Sequence, residues 1–148
     1  MSQARVVALH LSPGRRAPML AREEVQAVPD HGLADDAHAR PGTGRQVLLL
    51  DAETLEELSL HPGEVKENIT TQGLPLATLA TGTRLQVGEA LLQITKPCTP
   101  CNRMDEIQPG LQEKLQGRRG MLARVLASGT IRLGDPIAIR EPKPANSA

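Results

Sequence analysis

The two cysteines of this chain stand three positions apart in Lys96-Pro97-Cys98-Thr99-Pro100-Cys101-Asn102-Arg103-Met104-Asp105, and the chain has no others. Thiols act as nucleophiles, soft metal ligands and redox centres, so cysteine used only as one close pair points to chemistry at that turn. Pro97 and Pro100 fix φ and keep the residues before them extended, which predicts a rigid turn rather than a helix. Four chemistries compete there. Zinc would need two further ligands, and His31, His38 and His61 do not fall in zinc-knuckle spacing. A thioredoxin-type dithiol sits at a helix N-terminus, but Pro109-Gly110 follows too soon to leave much helix, and no βαβ pattern surrounds the pair. Two ordinary thiols in a turn is the plainest reading. The fourth is a single thiolate ligand for a soft transition metal, with Lys96 or Arg103 to hold it in its anionic form.

Other polar groups carry a functional and a plain reading side by side. Asp36 and His38 sit in a polar loop from Pro29 to Gly44, where a carboxylate can orient an imidazole for proton transfer or both can meet a cofactor edge; the plain reading is a solvated loop. Asn68, Thr70 and Thr71 offer hydrogen bonds to a planar ring, or satisfy backbone groups at a turn. Arg45, Arg118 and Arg119 each present the bidentate fork that suits phosphate. Solvated arginines near a helix C-terminus account for the latter pair equally well. Glu56-Glu57 reads as a solvated helix face.

The elements that must position these groups are mostly strands. Val6–Leu11 is a first strand, ended by Ser12-Pro13-Gly14, and Val25–Val28 a short second one. Gln46–Leu50 is a continuous apolar run, which predicts a strand buried on both faces. Asp51 is placed to cap a helix over Ala52–Leu58, closed by Pro62-Gly63. Thr81–Ile94 and Ser128–Ile139 share a pattern of strand, glycine-acid turn and strand, and both predict hairpins. A short helix is expected from Gly110 to Gln116, with Leu111 and Leu115 on one face. Short strands with glycine turns predict a mostly-β chain, a compact barrel or a tightly curled sheet, with a few short helices. One domain is expected over residues 1–148, with a core from about 5 to 141 and a frayed tail over 142–148.

Composition narrows the function. Lys+Arg and Asp+Glu are both 17, so no bulk attraction to nucleic acid or anionic membrane follows. The chain has no Phe, Tyr or Trp, so it offers no stacking platform for single-stranded nucleic acid. A planar ligand would have to be held by hydrogen bonds, arginine faces and aliphatic contacts. No segment reaches the roughly 20 apolar residues that cross a bilayer, and the first residues do not read as a signal peptide. With two cysteines and no disulfide framework, the expectation is a cytoplasmic protein with reduced thiols.

Seven segments, in order, carry a resemblance to a known family. They are Gly32-Leu33-Ala34-Asp35-Asp36-Ala37-His38-Ala39, Gly44-Arg45-Gln46-Val47, Glu67-Asn68-Ile69-Thr70-Thr71-Gln72-Gly73-Leu74, Gly82-Thr83-Arg84-Leu85 with Gly88, Pro100-Cys101-Asn102-Arg103-Met104-Asp105, Arg119-Gly120-Met121-Leu122-Ala123-Arg124-Val125 and Gly134-Asp135-Pro136. Together they resemble the MOSC domain, the module named for the C-terminal part of molybdenum-cofactor sulfurase. The resemblance implies a compact β-barrel that binds the molybdenum cofactor (molybdopterin) or carries sulfur. Its hallmark cysteine matches Cys101, the implied metal ligand and catalytic group, with Cys98 a resolving thiol or a neighbour. Asp36, His38, Arg45, Asn68, Thr70, Arg103, Arg118 and Arg119 are the implied cofactor contacts. For an enzyme, the resemblance implies reduction of N-hydroxylated compounds or N-oxides. This chain has no iron-sulfur or flavin pattern, so it would need an external electron donor, or a sulfur-transfer partner in a carrier role. A non-catalytic accessory module in cofactor assembly and a simple dithiol redox protein remain the alternatives. The family commonly has glycine where this chain has Asp35, a position that favours positive φ; Asp tolerates that region better than most residues.

Overall fold

The computed structural model describes residues 3–14 and 16–140. The tail expected to fray, 142–148, lies outside the described residues. The apolar run expected to be buried on both faces forms β5 (Val47–Asp51), and Val47, Leu48, Leu49 and Leu50 are all buried. It lies inside an eight-stranded sheet with β1 (Arg5–Leu11), β2 (Leu20–Arg22), β6 (Ile69–Gln72), β7 (Arg84–Val87), β8 (Ala90–Pro97), β9 (Met121–Ala127) and β11 (Ile137–Arg140), in the order β11-β7-β8-β9-β5-β6-β1-β2. A three-stranded sheet holds β3 (Glu24–Val28), β4 (Gly32–Leu33) and β10 (Gly129–Arg132), in the order β10-β3-β4.

Every pairing is antiparallel except β5 with β6. A parallel pair needs a long crossover, and the segment between them supplies it. It opens with α1 (Ala52–Glu57), whose cap is the one the sequence signals: the Thr54 N–H donates to Asp51 Oδ2 at 3.1 Å. The larger aliphatic core fills the space between the sheets, with Leu9, Leu33, Leu49, Ile69, Leu85, Leu92, Ile94 and Ile131 at its centre. A smaller cluster of Leu50, Leu55, Leu60, Val65, Met104, Leu111 and Leu115 lies on the helical side. There α2 (Met104–Ile107) and α3 (Leu111–Lys114) each bury one face. The helix expected over 110–116 is thus shorter than its sequence signal, and α2 is an extra turn just after the cysteines.

Two expectations are corrected. The hairpin over 82–94 forms, with Val87 facing Ala90 across a two-residue turn. The matching segment over 129–139 does not: β10 pairs with β3, and β11 pairs with β7. Asp135 Oδ2 accepts the Arg132 N–H at 2.8 Å, and the Gly134 N–H donates to Val6 O at 2.8 Å. The turn is therefore docked on β1, and it sends its two strands into different sheets. The eight-stranded sheet is also not closed into a barrel by a continuous ladder. The start of β1 meets the chain ahead of β11 only at the bridge between Arg5 and Pro136 and its flanking bonds. Pro136 has no N–H to extend that pairing. Among the described residues no helix is long and apolar enough to cross a membrane.

Candidate functional site

The cysteine turn is held from both ends. Pro97 pairs with Met121 where β8 meets the start of β9. The Cys98 N–H donates to Gly120 O at 2.9 Å, and the Met104 N–H donates to Cys101 O at 3.0 Å. Both thiols are free; Cys101 is exposed and Cys98 half-buried.

The polar loop between β4 and β5 is brought to this turn by its own side chains. Asp35 takes φ +67°, the left-handed geometry that the Asp-for-Gly exchange demands. Next to it, Asp36 is buried, and its Oδ1 accepts the Ser12 N–H at 2.8 Å. Gln46 donates to Asp30 Oδ1 at 3.0 Å and Thr43 O at 2.8 Å, and accepts the Val125 N–H at 2.9 Å. Thr95 Oγ1 donates to Gly44 O at 2.6 Å, fixing the loop end to β8. The outcome is one open cavity of about 840 Å³, shared by the loop, the cysteine turn, α2 and the start of β9.

Its walls are strongly biased in charge. Arg16, Arg40, Arg45, Lys66, Arg103 and Arg119 line it against a single carboxylate, Glu106, among the described residues. Val47, Leu48, Leu122, Met104 and Ile107 provide aliphatic surface beside them. Six cations face one anion in a chain of zero net charge, so the bias belongs to this cavity and not to the protein as a whole.

Of the residues singled out from sequence, Cys98, Cys101, His38, Arg45, Asn68, Arg103 and Arg119 line the cavity. Asp36, Thr70 and Arg118 do not. Asp36 anchors the loop to Ser12. Thr70 is fully buried and donates to Glu67 Oε2 at 3.0 Å. Arg118 turns away to pair with Glu57 at the surface. Asn68 is largely committed to the backbone: its Oδ1 accepts the Leu48 N–H at 3.0 Å and its Nδ2 donates to His10 O at 3.2 Å. It fastens β1 to β5 at the mouth of the parallel pair. Arg16, Arg40, Lys66 and Glu106 were not anticipated. Arg16 and Lys66 take φ values of +62° and +71°, a turn geometry that no glycine or asparagine announces in the sequence.

Behind Arg119 lies a buried acid that the sequence reading also passed over. Glu67 is fully buried; its Oε2 accepts the Gly63 N–H at 2.9 Å and the Thr70 hydroxyl, while its Oε1 has no partner among the described residues. Burial pushes its carboxyl above the usual carboxylate range, opposed by those donors and by the Arg119 charge. Arg119 Nη2 donates to Val65 O at 2.5 Å, and its Nη1 is buried without a partner among the described residues. His10, packed on Gly63, is pushed down by burial.

These shifts have opposite signs. Glu67 binds its proton more tightly in the folded state, so its contribution to stability is full below its unfolded value of 4.5 and is lost as pH rises through the folded one. His10 contributes above its unfolded value of 6.5, and that contribution is lost as pH falls through its folded one. Glu67→Gln keeps an acceptor for Gly63 and Thr70 but removes the charge. Its stability relative to wild type should therefore rise with pH above about 4.5. Urea unfolding of both proteins across pH checks this; a difference that stays constant with pH would refute the assignment.

Among the described residues no three His, Cys, Asp or Glu side chains are grouped as metal ligands. The cavity offers thiols and cations, a donor set suited to an anionic group or to a metal that arrives with most of its own ligands.

A mostly-β protein built around one thiol-bearing, cation-lined cavity is the class that fold and site define. The MOSC domain family model matches residues 9–138, and the chain belongs to that family. The fold is shared with the crystal structure of the YUAD protein from Bacillus subtilis, at a TM-score of 0.80 and 18% identity over 93% of this chain and 96% of that one. It is also shared with YiiM from Geobacillus stearothermophilus, at a TM-score of 0.77 and 18% identity over 98% of this chain and 79% of that one. YiiM from Escherichia coli superimposes at a TM-score of 0.69 and 22% identity over 93% of this chain and 70% of that one. No curated protein matches the chain.

Proposed function

We propose that the cavity binds a molybdenum–pterin cofactor, with Cys101 as the protein's ligand to the metal and the basic side chains on its phosphate. The observation that carries this reading is the meeting of an exposed thiol with six cationic side chains in one cavity. The residues present fit the group. Its volume lies within the range of small-ligand sites. Arg119 lines the cavity, and its guanidinium carries the charge and the fork that suit a phosphate. The aliphatic wall of Val47, Leu48 and Leu122 gives a planar ring a surface where the chain has no aromatic side chain.

When bound, the cofactor supplies two-electron redox chemistry or accepts sulfur. The chain's own residues bind and orient it. In this reading Arg103 and Arg119, with Arg40, Arg45 and His38 of the loop, hold the cofactor's polar groups, and Cys101, which lines the same cavity, supplies the thiol. In the enzymatic form of this reading the substrates are N-hydroxylated compounds and electrons come from an external donor. In the non-catalytic form the protein carries the cofactor or its sulfur to a partner.

The test is elemental and pterin analysis of protein purified from cells with an intact molybdenum-cofactor pathway. Wild type should hold both, and Cys101→Ser should lose most of the molybdenum. Molybdenum-free wild-type protein from such cells would reject the reading. Reduction of an N-hydroxylated substrate by the loaded protein with a chemical reductant then separates enzyme from carrier.

A further inference from the structure

Cys98 is not used by the function proposed above. It nevertheless lines the same cavity wall as Cys101, three residues away, and no other cysteine competes for either thiol. The segment joining them is already restrained: Cys98 is fastened to Gly120 and Cys101 to Met104 through backbone hydrogen bonds. Pro100 between them is buried and fixes its own φ. Drawing the two sulfurs together therefore closes a short loop with little chain freedom left to lose. Among the described residues neither sulfur has a strong partner to give up: the one hydrogen bond of Cys98 Sγ is a 4.0 Å approach to Thr99 O. Exposure orders the pair, with Cys101 open to solvent and Cys98 half-buried.

We propose that Cys98 and Cys101 form a reversible dithiol modification site that reacts with hydroperoxides, Cys101 being oxidised first and Cys98 resolving it. In the first step the Cys101 thiolate attacks the peroxide. An S–O bond forms, the O–O bond breaks, and the alkoxide or hydroxide leaves with a proton. Sulfur is oxidised by two electrons to a sulfenic acid, and the peroxide is reduced to alcohol or water. In the second step the Cys98 sulfur attacks Cys101 Sγ. The S–S bond forms, the S–O bond breaks, and the hydroxyl leaves as water with the Cys98 proton. The sum is two thiols and one hydroperoxide giving one disulfide, one alcohol or water, and one further water. The disulfide needs no cofactor. Its consequence, that the cavity keeps its cations but loses its thiol ligand, rests on the reading of Cys101 as that ligand.

The experiment uses the full-length, cofactor-free, reduced protein and one equivalent of hydrogen peroxide. Thiol titration should show two thiols lost per peroxide consumed, both restored by dithiothreitol, with the protein still monomeric on a non-reducing gel. Trypsin cuts after Arg84 and Arg103 but not between Lys96 and Pro97, so one peptide carries both sulfurs and should be two hydrogen masses lighter. In Cys98→Ser, Cys101 should still be consumed, ending as a sulfinic acid or a disulfide-linked dimer. One thiol lost per peroxide in wild type, a dimeric wild-type product, or loss that dithiothreitol does not reverse would each overturn the proposal. So would preferential oxidation in Cys101→Ser over Cys98→Ser. Because no cofactor is present, these results stand apart from the molybdenum analysis.

Discussion

Gly120→Ala should destabilise the protein by about 2–5 kcal/mol and spoil the cavity at the same time. Gly120 takes φ +103°, and a Cβ there would run into Leu49 O, with Leu48 Cδ1 at 3.4 Å. Two penalties therefore act together. A side chain at that φ costs about 1–2 kcal/mol, and forcing a methyl group into a filled space costs about 1–3 kcal/mol. The obstacle is backbone of β5, which pairs with β9 through Leu49 and Met121, so it cannot rotate aside. The carbonyl of Gly120 also holds the Cys98 N–H, and Arg119 is the preceding residue. Against a typical total of about 5–15 kcal/mol the loss is a large fraction. Chemical unfolding measures it; a variant within about 0.5 kcal/mol of wild type would show that β9 yields freely at this point.

Arg119→Ala should weaken binding of inorganic phosphate about 10–100-fold, whereas Arg118→Ala should leave it unchanged. The two arginines are neighbours in sequence but not in role. Arg119 is buried and lines the cavity, and its Nη1 has no partner among the described residues. A hydrogen bond to a charged group contributes about 1.5–3 kcal/mol, and each 1.4 kcal/mol is about tenfold in affinity. Arg118 lies outside the cavity in an ion pair with Glu57, whose carboxylate is mostly exposed, so its removal should change stability by less than about 1 kcal/mol. Calorimetric titration with phosphate, at fixed ionic strength, compares the two. Equal losses from both variants would mean that the affinity comes from diffuse positive charge and not from a seat for the anion.

The elements that were legible in the sequence are those set by local signals. Asp51 caps α1 because its side chain reaches the Thr54 N–H three residues on, a contact that spacing alone specifies. The Val47–Leu50 run had to be buried on both faces, and it is. Asp35 adopts the geometry its position required. The failures are non-local. Gly88-Glu89 and Gly134-Asp135 look alike as turns, but the second is captured by β1, a partner over a hundred residues away. Arg118 and Arg119 are chemically identical, and only the direction of the chain entering β9 separates them. Lys66 reaches the cavity because of a positive φ that its type does not favour, and Glu106 because α2 forms a turn that the nearby prolines argued against. Cys98, Cys101, Arg103, His38, Arg45, Asn68 and Arg119 were therefore readable from the motifs that hold them, while Arg16, Arg40, Lys66 and Glu106 were not.

The aliphatic make-up of both core clusters has an optical consequence. With no indole or phenol ring anywhere in the chain, the apoprotein has no intrinsic fluorescence and almost no near-ultraviolet absorption. A bound pterin, a metal–thiolate charge-transfer band or the circular dichroism of a new disulfide would each appear against a nearly dark background. The same darkness hides the protein from routine absorbance assays, so its concentration must be fixed by peptide-bond absorption or amino-acid analysis before any cofactor ratio is calculated.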